Sequence, residues 1–351
     1  MNRIANVFAV ATLSLASAFS VVHAEEQKVA KADAARGETI FNNGVPANGV
    51  PACTSCHGAG GNSAMNVNPK LAGQHAEYVE KISPYGKHLF IEKPFADSLA
   101  AADQMNAALA PGKQLIINWP LRWYPSHATA FRLISQGLIG SVREVHYYDG
   151  NRGPLAHGAD KIAKDVTPEL KAESWFYKKS GGGGALLDYL GYGTTLGAWF
   201  NGGKSPVDVT TVTGGDPNLE VDEHSITICR YADGTLSKFE TKWGTFTDPW
   251  THQPQPKCGF NIVGSEGTIA SYDLEPTIHV QTQSKPEGET IACDDLVHPF
   301  HAPIPYVLNR IENGLEIDGP LSPKIARIGQ QIVDAAVLSA TTRTTVSLKN
   351  L

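Results

Sequence analysis

The sequence lacks the charge pattern that marks nucleic-acid-binding proteins. Its 351 residues contain 29 Lys and Arg against 35 Asp and Glu, which gives a net charge of −6 and a pI near 6.1. No stripe of basic residues is present to neutralise phosphates, so nucleic acid is excluded as the main partner. The hydrophobic fraction of 42% and the charged fraction of 18% are those of an ordinary globular protein, long enough for two domains.

Long apolar runs are absent after the first 24 residues. Before that point, Arg3 precedes an almost wholly apolar or small stretch from Val7 to Val22, and Val22-His23-Ala24 resembles a small-residue cleavage site. The run is short for a membrane span. We therefore predict a signal peptide at residues 1–24, export to the periplasm and no membrane span after cleavage; an uncleaved anchor helix is the alternative.

Cysteine is scarce and its number is odd. The five cysteines are Cys53, Cys56, Cys229, Cys258 and Cys293. Two of them share one short motif, and the remaining three cannot form a complete disulfide framework. One pair among the three could form in an oxidising compartment, and the sequence does not choose which.

The short motif is Cys53-Thr54-Ser55-Cys56-His57, which has the spacing of covalent c-type haem attachment. Two thiols two residues apart can each add to a haem vinyl group, and the adjacent imidazole of His57 then becomes an axial ligand of the iron. A redox dithiol or half of a zinc site would use a similar spacing. The export signal favours covalent haem c.

Residues 35–82 resemble class I bacterial cytochromes c, with a predicted helix before the motif and another that ends at Ile82. The resemblance implies a small α-helical haem-binding segment, at 25–82, that moves single electrons. It stops short of the usual methionine ligand and closing helix. Met65 is too near His57 to reach the other haem face, and Met105 lies in a stretch that we expect to pack on a helix of the next module. The iron is then five-coordinate, or is capped by His75 or a foreign ligand.

From Tyr85 onward the sequence pattern differs from that of the haem-binding segment. A short buried-type strand at 88–91 leads into Glu92-Lys93-Pro94, a helix follows, and a second strand spans 114–118. This order is the tail of a parallel α/β sheet. We therefore predict the remnant of a Rossmann domain at 83–120, followed at 121–351 by a domain with an antiparallel sheet at 207–283, and an α+β fold class overall.

The motifs of this second module resemble those of the Gfo/Idh/MocA oxidoreductases, the family of glucose–fructose oxidoreductase and inositol dehydrogenase. The matching features occur in the family's order: Gly86–Pro94 with its Glu-Lys-Pro, Arg122, Gly137–Gly140, Trp175, Gly182–Gly193 and a final helix at Ser322–Ser339. The resemblance implies a substrate domain whose large sheet often forms a subunit interface, hence a homo-oligomer. It also implies a sugar or polyol substrate.

Asp188, Tyr192, Thr195 and Trp199 are spaced to share one helix face. A phenol one turn from a carboxylate can act as a general acid–base when an ammonium such as that of Lys93 lies near. By resemblance, Lys93, Tyr192 and Asp188 are catalytic. The structural alternatives are a half-buried helix tyrosine, a surface lysine, and an aspartate that braces the glycine run.

The resemblance also assigns residues to the ligands. It implies that Glu92 and Arg122 lie on the nicotinamide side, and that Trp175 and Thr195 face the substrate. Thr195 stands where the family usually has a second acidic residue.

The family's dinucleotide fingerprint is missing. A Rossmann domain has a strand, a GxGxxG turn and a helix, followed by an acidic residue about 20 positions later. Gly58–Ser63 mimics only the first glycines, and Gly181–Gly184 does not follow a strand of such a unit. Although the family uses NAD(P), we expect no tight NAD(P) binding and no NAD(P)-dependent sugar turnover.

Three functions remain. The first is a sugar or polyol oxidoreductase with a haem segment for electron transfer, served by a redox partner protein. The second is a haem-carrying electron-transfer or binding protein. The third is an inactive fusion of two truncated genes.

Overall fold

A computed structural model describes Thr39, Asn43 and residues 76–156 and 166–350. The chain divides into two compact units, Met1–Gly73 and Gln74–Leu351, and the features below belong to the second. The predicted signal peptide and the haem-motif residues Cys53, Cys56 and His57 lie outside the described residues, as do Met65 and His75.

The second unit begins with the predicted strand–helix–strand order. Helix α1 (Ala76–Ile82) precedes strand β1 (Leu89–Glu92), helix α2 (Leu99–Ala108) and strand β2 (Leu115–Asn118). The strands pair in parallel, from Leu89 opposite Leu115 to Glu92 opposite Asn118. The Ser98 hydroxyl caps α2 by accepting from the Ala101 N–H at 3.2 Å. Met105 is buried on α2, in agreement with the expectation that it packs within this module.

The rest of the unit is built on one nine-stranded sheet. Helix α3 (Pro125–Ser135) leads into its central strand β3 (Val142–Asn151), and the helices α4 (Pro168–Glu173) and α5 (Ala185–Phe200) follow. The remaining strands are β4 (Asp208–Gly214), β5 (His224–Arg230), β6 (Leu236–Trp243), β7 (Gly259–Gly264), β8 (Gly267–Tyr272), β9 (Thr277–Thr282), β10 (Lys285–Ala292) and β11 (Val346–Ser347). Between β10 and β11 lie the helices α6 (Pro303–Glu312) and α7 (Pro323–Thr342).

The strand order is β10-β9-β8-β7-β3-β6-β5-β4-β11, with β3 and β6 parallel and every other neighbouring pair antiparallel. The burial pattern of strand β6 shows that the two faces of the sheet differ. Ser237, Phe239, Thr241 and Trp243 are buried, whereas the residues between them are half-buried. The predicted α+β class, with a parallel remnant beside a mostly antiparallel sheet, is confirmed.

Helix α5 approaches the sheet closely because glycines face it. A Cβ at Gly193 would lie 2.6 Å from Tyr147 Cδ1, and a Cβ at Gly197 would lie 2.6 Å from Phe239 Cζ. Each helical glycine costs about 1 kcal/mol relative to alanine, which the close packing against two buried rings offsets. This contact fixes the position of the helix that carries Asp188 and Tyr192. Among the described residues, no helix combines the length and apolar character needed to cross a bilayer.

Candidate active site

The backbone N–H groups of the glycine run before α5 form hydrogen bonds within the protein, so we call this run closed. The Gly184 N–H donates to the Phe176 carbonyl at 3.0 Å. Asp222 accepts the next two hydrogen bonds: its carbonyl accepts from the Ala185 N–H at 3.0 Å, and its Oδ2 accepts from the Leu186 N–H at 2.9 Å. A Cβ at Gly183 would lie 2.1 Å from the Phe176 oxygen. These glycines therefore allow tight packing of the loop, and the first two backbone N–H groups of α5 are already bonded to Asp222 rather than open to a phosphate.

Lys93 and Tyr192 meet where β1 ends. The Lys93 ammonium lies over the Tyr192 ring, 4.8 Å from its centroid. The Trp119 ring packs against the same phenol edge-on, with centroids 5.2 Å apart and an interplanar angle of 75°. The structure thus brings together the lysine and the tyrosine that the sequence singled out, in a cation–π geometry.

Asp188 lies one turn before Tyr192 on α5. Its Oδ2 accepts a 3.0 Å hydrogen bond from the Trp243 indole N–H on β6. This bond ties the first turn of the helix to the sheet. The Asp188 carboxylate is therefore anchored by a side chain that the sequence analysis did not select.

A cavity of about 340 Å³, which we call the Lys93 cavity, opens beside these residues. Lys93, Asp188, Trp119 and Trp175 line it. Trp175 is 57% exposed and stacks on Phe176 with centroids 3.9 Å apart. Trp175 therefore shares a cavity with two of the predicted catalytic residues.

A second cavity, of about 360 Å³, is lined by the Tyr192 ring and is called the Tyr192 cavity here. Its other polar and aromatic lining residues are Tyr124, Ser126, His127, Tyr147, Asp149, Tyr189, Trp250 and Asp273. Asp149 lies on β3, and Asp273 directly follows β8. The Tyr147 hydroxyl donates to Asp149 Oδ2 at 2.8 Å.

Burial decides the protonation states in the Tyr192 cavity. It raises the pKa of Asp273 to about 6. Burial, together with the negative charge of Asp273, raises the pKa of Asp149 well above its usual range. Burial also lowers the pKa of His127 to about 4, so this imidazole is neutral at pH 7. The two carboxyl groups therefore share a proton near neutral pH while keeping negative charge in the cavity.

Three other predicted site residues lie elsewhere. Glu92 accepts from Asn118 Nδ2 at 2.7 Å. Arg122 forms an ion pair with Asp318, Nη1 to Oδ1 at 2.9 Å, and lines a different cavity with that residue. Thr195 is 1% exposed, at the contact between α5 and α7. The structure brings neither Arg122 nor Thr195 to Lys93 and Tyr192.

The position of Thr195 follows from the packing of α5. The helix is partly open to solvent around Asp188, but every residue from Gly193 to Phe200 is buried between the sheet and α7. The hydroxyl of Thr195 faces Gly329 of α7, whose added Cβ would lie 2.5 Å from Oγ1. Shared helical spacing does not produce a shared exposed face, because α7 covers the second half of the helix.

Residues 127–270 match the family model of the GFO/IDH/MocA C-terminal domain. The chain is therefore similar to the Gfo/Idh/MocA C-terminal domain over these residues. Levoglucosan dehydrogenase, in a structure with NADH and levoglucosan, has 20% sequence identity and a TM-score of 0.61, covering 79% of this chain and 78% of that one. At this identity the likeness concerns the fold.

Two curated relatives match separate parts of the chain. Cytochrome c4 from Azotobacter vinelandii is 48% identical over 46 residues, which are 13% of this chain and 22% of that protein. Inositol 2-dehydrogenase from Gluconacetobacter diazotrophicus is 31% identical over 107 residues, 29% of this chain and 32% of that protein. The chain thus spans roughly a fifth to a third of the length of these relatives. It joins sequence similar to cytochrome c4 in its N-terminal region to a body that is similar to the Gfo/Idh/MocA C-terminal domain.

The similar levoglucosan dehydrogenase structure contains NADH, yet the described residues of this chain do not fit the pyrophosphate of a dinucleotide. The parallel sheet in the described part of the chain contains β1 and β2 alone. The N–H groups of Gly184, Ala185 and Leu186 are already bonded to Phe176 and Asp222. A Rossmann cradle needs a glycine turn whose backbone N–H groups are open to the ligand.

Proposed function

We propose that this chain binds a sugar or polyol in the Tyr192 cavity, where Tyr192 exchanges a proton with a ligand hydroxyl. The observation that carries the proposal is the Lys93 ammonium placed 4.8 Å from the centroid of the phenol that lines this cavity. The names of the relatives, an inositol dehydrogenase and a levoglucosan dehydrogenase, support a ligand rich in hydroxyls.

Proton exchange follows from the arrangement of charges. A ligand hydroxyl within hydrogen-bond reach of a phenol can donate its proton to the phenol oxygen while it accepts the phenol's own proton, so the two groups can exchange a proton without any oxidation. The Lys93 ammonium lies over the same ring, and this cation–π contact fixes the phenol beside the cavity. Because the described residues do not fit a dinucleotide, we assign only ligand binding and proton transfer to them.

We further propose that the protein is exported to the periplasm and carries covalent haem on Cys53 and Cys56, with His57 as an axial ligand. The identity to cytochrome c4 supports this assignment. Haem staining of the denatured full chain, expressed with the attachment machinery, should give a stained band, and the Cys56→Ala variant should give a weaker or unstained one. An unstained wild-type band would contradict covalent haem.

Calorimetric titration of the full chain with myo-inositol and D-glucose tests the body. We expect at least one of these ligands to bind, and Tyr192→Phe to weaken that binding about fivefold through loss of one hydrogen bond. Asp294→Asn, which changes an exposed ion pair with Arg132, is the control and should leave binding unchanged. Equal affinity of the wild type and Tyr192→Phe would contradict the role of the phenol.

The closed glycine run favours a second function, a haem-carrying protein that binds the polyol without turning it over. Adding NAD+ or NADP+ and a bound polyol to the full chain, while following nicotinamide absorbance and haem absorbance together, separates the two. We expect no reduced nicotinamide. Haem reduction that depends on the polyol and is lost in Tyr192→Phe would support turnover, whereas binding without either signal would support the binding protein.

A further inference from the structure

The Tyr192 cavity carries negative charge without a matching cation in its wall. Asp149 and Asp273 reach it from separate elements, β3 and the residue after β8, and a carboxylate oxygen of each lies within 4.8 Å of the other. No lysine or arginine is among the described residues that line the cavity. The Lys93 ammonium lies over the Tyr192 ring and lines the other cavity.

Aromatic rings form much of the remaining wall. Tyr124, Tyr189, Tyr192 and Trp250 line the same cavity as the two carboxyl groups. Tyr124 and Trp250 are each 40% exposed, which places them towards solvent, whereas Tyr147 is buried behind them. The face of an aromatic ring carries partial negative charge and attracts a ligand cation, most strongly where water is excluded.

We propose that the polyol recognised at Tyr192 carries an ammonium group, so that the preferred ligand is an amino sugar or an amino-substituted cyclic polyol. The ammonium binds between Asp149 and Asp273 among the aromatic rings, and neighbouring hydroxyls of the ring reach Tyr192. This assignment rests on the proposed function, because it names the class of ligand for the same cavity.

A divalent metal is the competing occupant, since Cys258 has its sulfur within 4.8 Å of the two carboxylates. The sulfur is a poor ligand in this position. Cys258 is 0% exposed, does not line the cavity, and directs Sγ to the Gly150 carbonyl at 3.5 Å. Burial also raises the pKa of its thiol, and a metal ligand must be the thiolate. Two carboxyl groups without a thiolate partner, in a wall made largely of aromatic rings, suit an ammonium better than a metal.

Titration calorimetry with the full chain at pH 7 tests the proposal. D-Glucosamine, D-glucose and N-acetyl-D-glucosamine share a ring and differ in the charge at one position. We expect D-glucosamine to bind at least about tenfold more tightly than the other two, because it alone is cationic. Asp273→Asn should remove most of this preference, whereas Asp294→Asn, outside the Tyr192 cavity, should retain it.

Two further probes separate the outcomes. Cyclohexylamine supplies an ammonium without hydroxyls, and Zn²⁺ supplies the competing metal. Equal binding of the three sugars would overturn the ammonium site and leave the proposed function standing. Binding of cyclohexylamine that is lost in Asp273→Asn, with no sugar bound, would keep the ammonium site and overturn the polyol function.

The remaining outcomes are also decisive. Saturable Zn²⁺ binding that is lost in Asp273→Asn, without amine preference, would replace the ammonium by a metal. Failure of every probe to bind would overturn both proposals. If Asp273→Asn does not fold, as judged by circular dichroism, the contrast between D-glucosamine and N-acetyl-D-glucosamine in the wild type still decides the question.

Discussion

Trp243 donates a 3.0 Å hydrogen bond from its indole N–H to Oδ2 of Asp188, and so connects β6 to the first turn of α5. The bond holds the end of the helix from which Tyr192 projects. Trp243 itself is 3% exposed, so the donor cannot be replaced readily by water.

Trp243→Phe should therefore destabilise the protein. The change keeps an aromatic ring and removes the donor, which leaves a half-buried carboxylate without this partner. We expect the free energy of unfolding to fall by about 1–3 kcal/mol, measured by urea denaturation. Trp123→Phe is the matched control, because the Trp123 Nε1 is buried and has no hydrogen-bond partner among the described residues. A loss as large in the control as in Trp243→Phe would contradict the role of the bond.

Asp273→Asn should change stability in a pH-dependent way. Burial raises the pKa of Asp273 in the folded protein to about 6, above the value in the unfolded chain. The folded state therefore binds the proton more tightly, and stability falls as the pH rises from about 4 through about 6. Asparagine avoids this ionisation, so the variant should gain roughly 1–3 kcal/mol relative to the wild type at pH 7 and little at pH 4.

Denaturation at both pH values measures this difference, and Asp294→Asn provides a control of opposite sign. The hydrogen bond from Arg132 lowers the pKa of Asp294. Its contribution is thus present at neutral pH and is lost as the pH falls through the lowered pKa, so Asp294→Asn should be less stable than the wild type at pH 7. If Asp273→Asn is less stable than the wild type at pH 7, the conclusion that the ionised Asp273 destabilises the folded protein is wrong.

Gly193→Ala should strain the contact between α5 and the sheet. The new Cβ would lie 2.6 Å from Tyr147 Cδ1, a buried ring that also lines the Tyr192 cavity. We expect a loss of about 1–3 kcal/mol in the free energy of unfolding despite the better helix propensity of alanine. Gly214→Ala on β4 is the control, because a Cβ there meets no atom within 4 Å. Thermal unfolding of the two variants, side by side, tests the contrast.

Lys93→Met should lower the free energy of unfolding slightly, because it removes the ammonium that lies over the Tyr192 ring. The ammonium over the Tyr192 ring contributes about 0.5–1 kcal/mol in such geometries, and Lys93→Arg should retain most of it because it keeps a cation at this position. Urea denaturation of both variants gives the comparison. Equal losses for the two variants would indicate that the shape of the lysine side chain matters more than its charge.

The sequence predicted the elements that have strong local signals. The Glu-Lys-Pro strand end, the strand–helix–strand order and the helix after the glycine run all carry such signals, since short apolar runs and turn residues specify them locally. Strand β10 was not predicted, because Lys285 to Thr290 are largely polar and pair at the edge of the sheet with only one neighbour. An edge strand needs little apolar alternation, so its sequence resembles a loop.

Only part of the candidate site could be predicted from such local sequence signals. Lys93, Asp188 and Tyr192 stand in motifs, whereas Asp149 and Asp273 come together only through the pairing of β3, β7 and β8. The one local signal was on β3, where Tyr147 and Asp149 are two residues apart and so point to the same side of the sheet. An acidic residue in register with a buried tyrosine is unusual enough to mark a site. Nothing local marks Asp273.

The two-stranded pairing of β1 with β2 has a consequence for re-engineering. In the described part of the chain, one edge of β1 has no neighbouring strand, and the donors ahead of α5 are committed to Phe176 and Asp222. Mutating those glycines would not recreate a nucleotide pocket. A nucleotide pocket would require that whole strand–turn–helix modules be added alongside β1. The added strands could pair with the backbone N–H and C=O groups at its open edge.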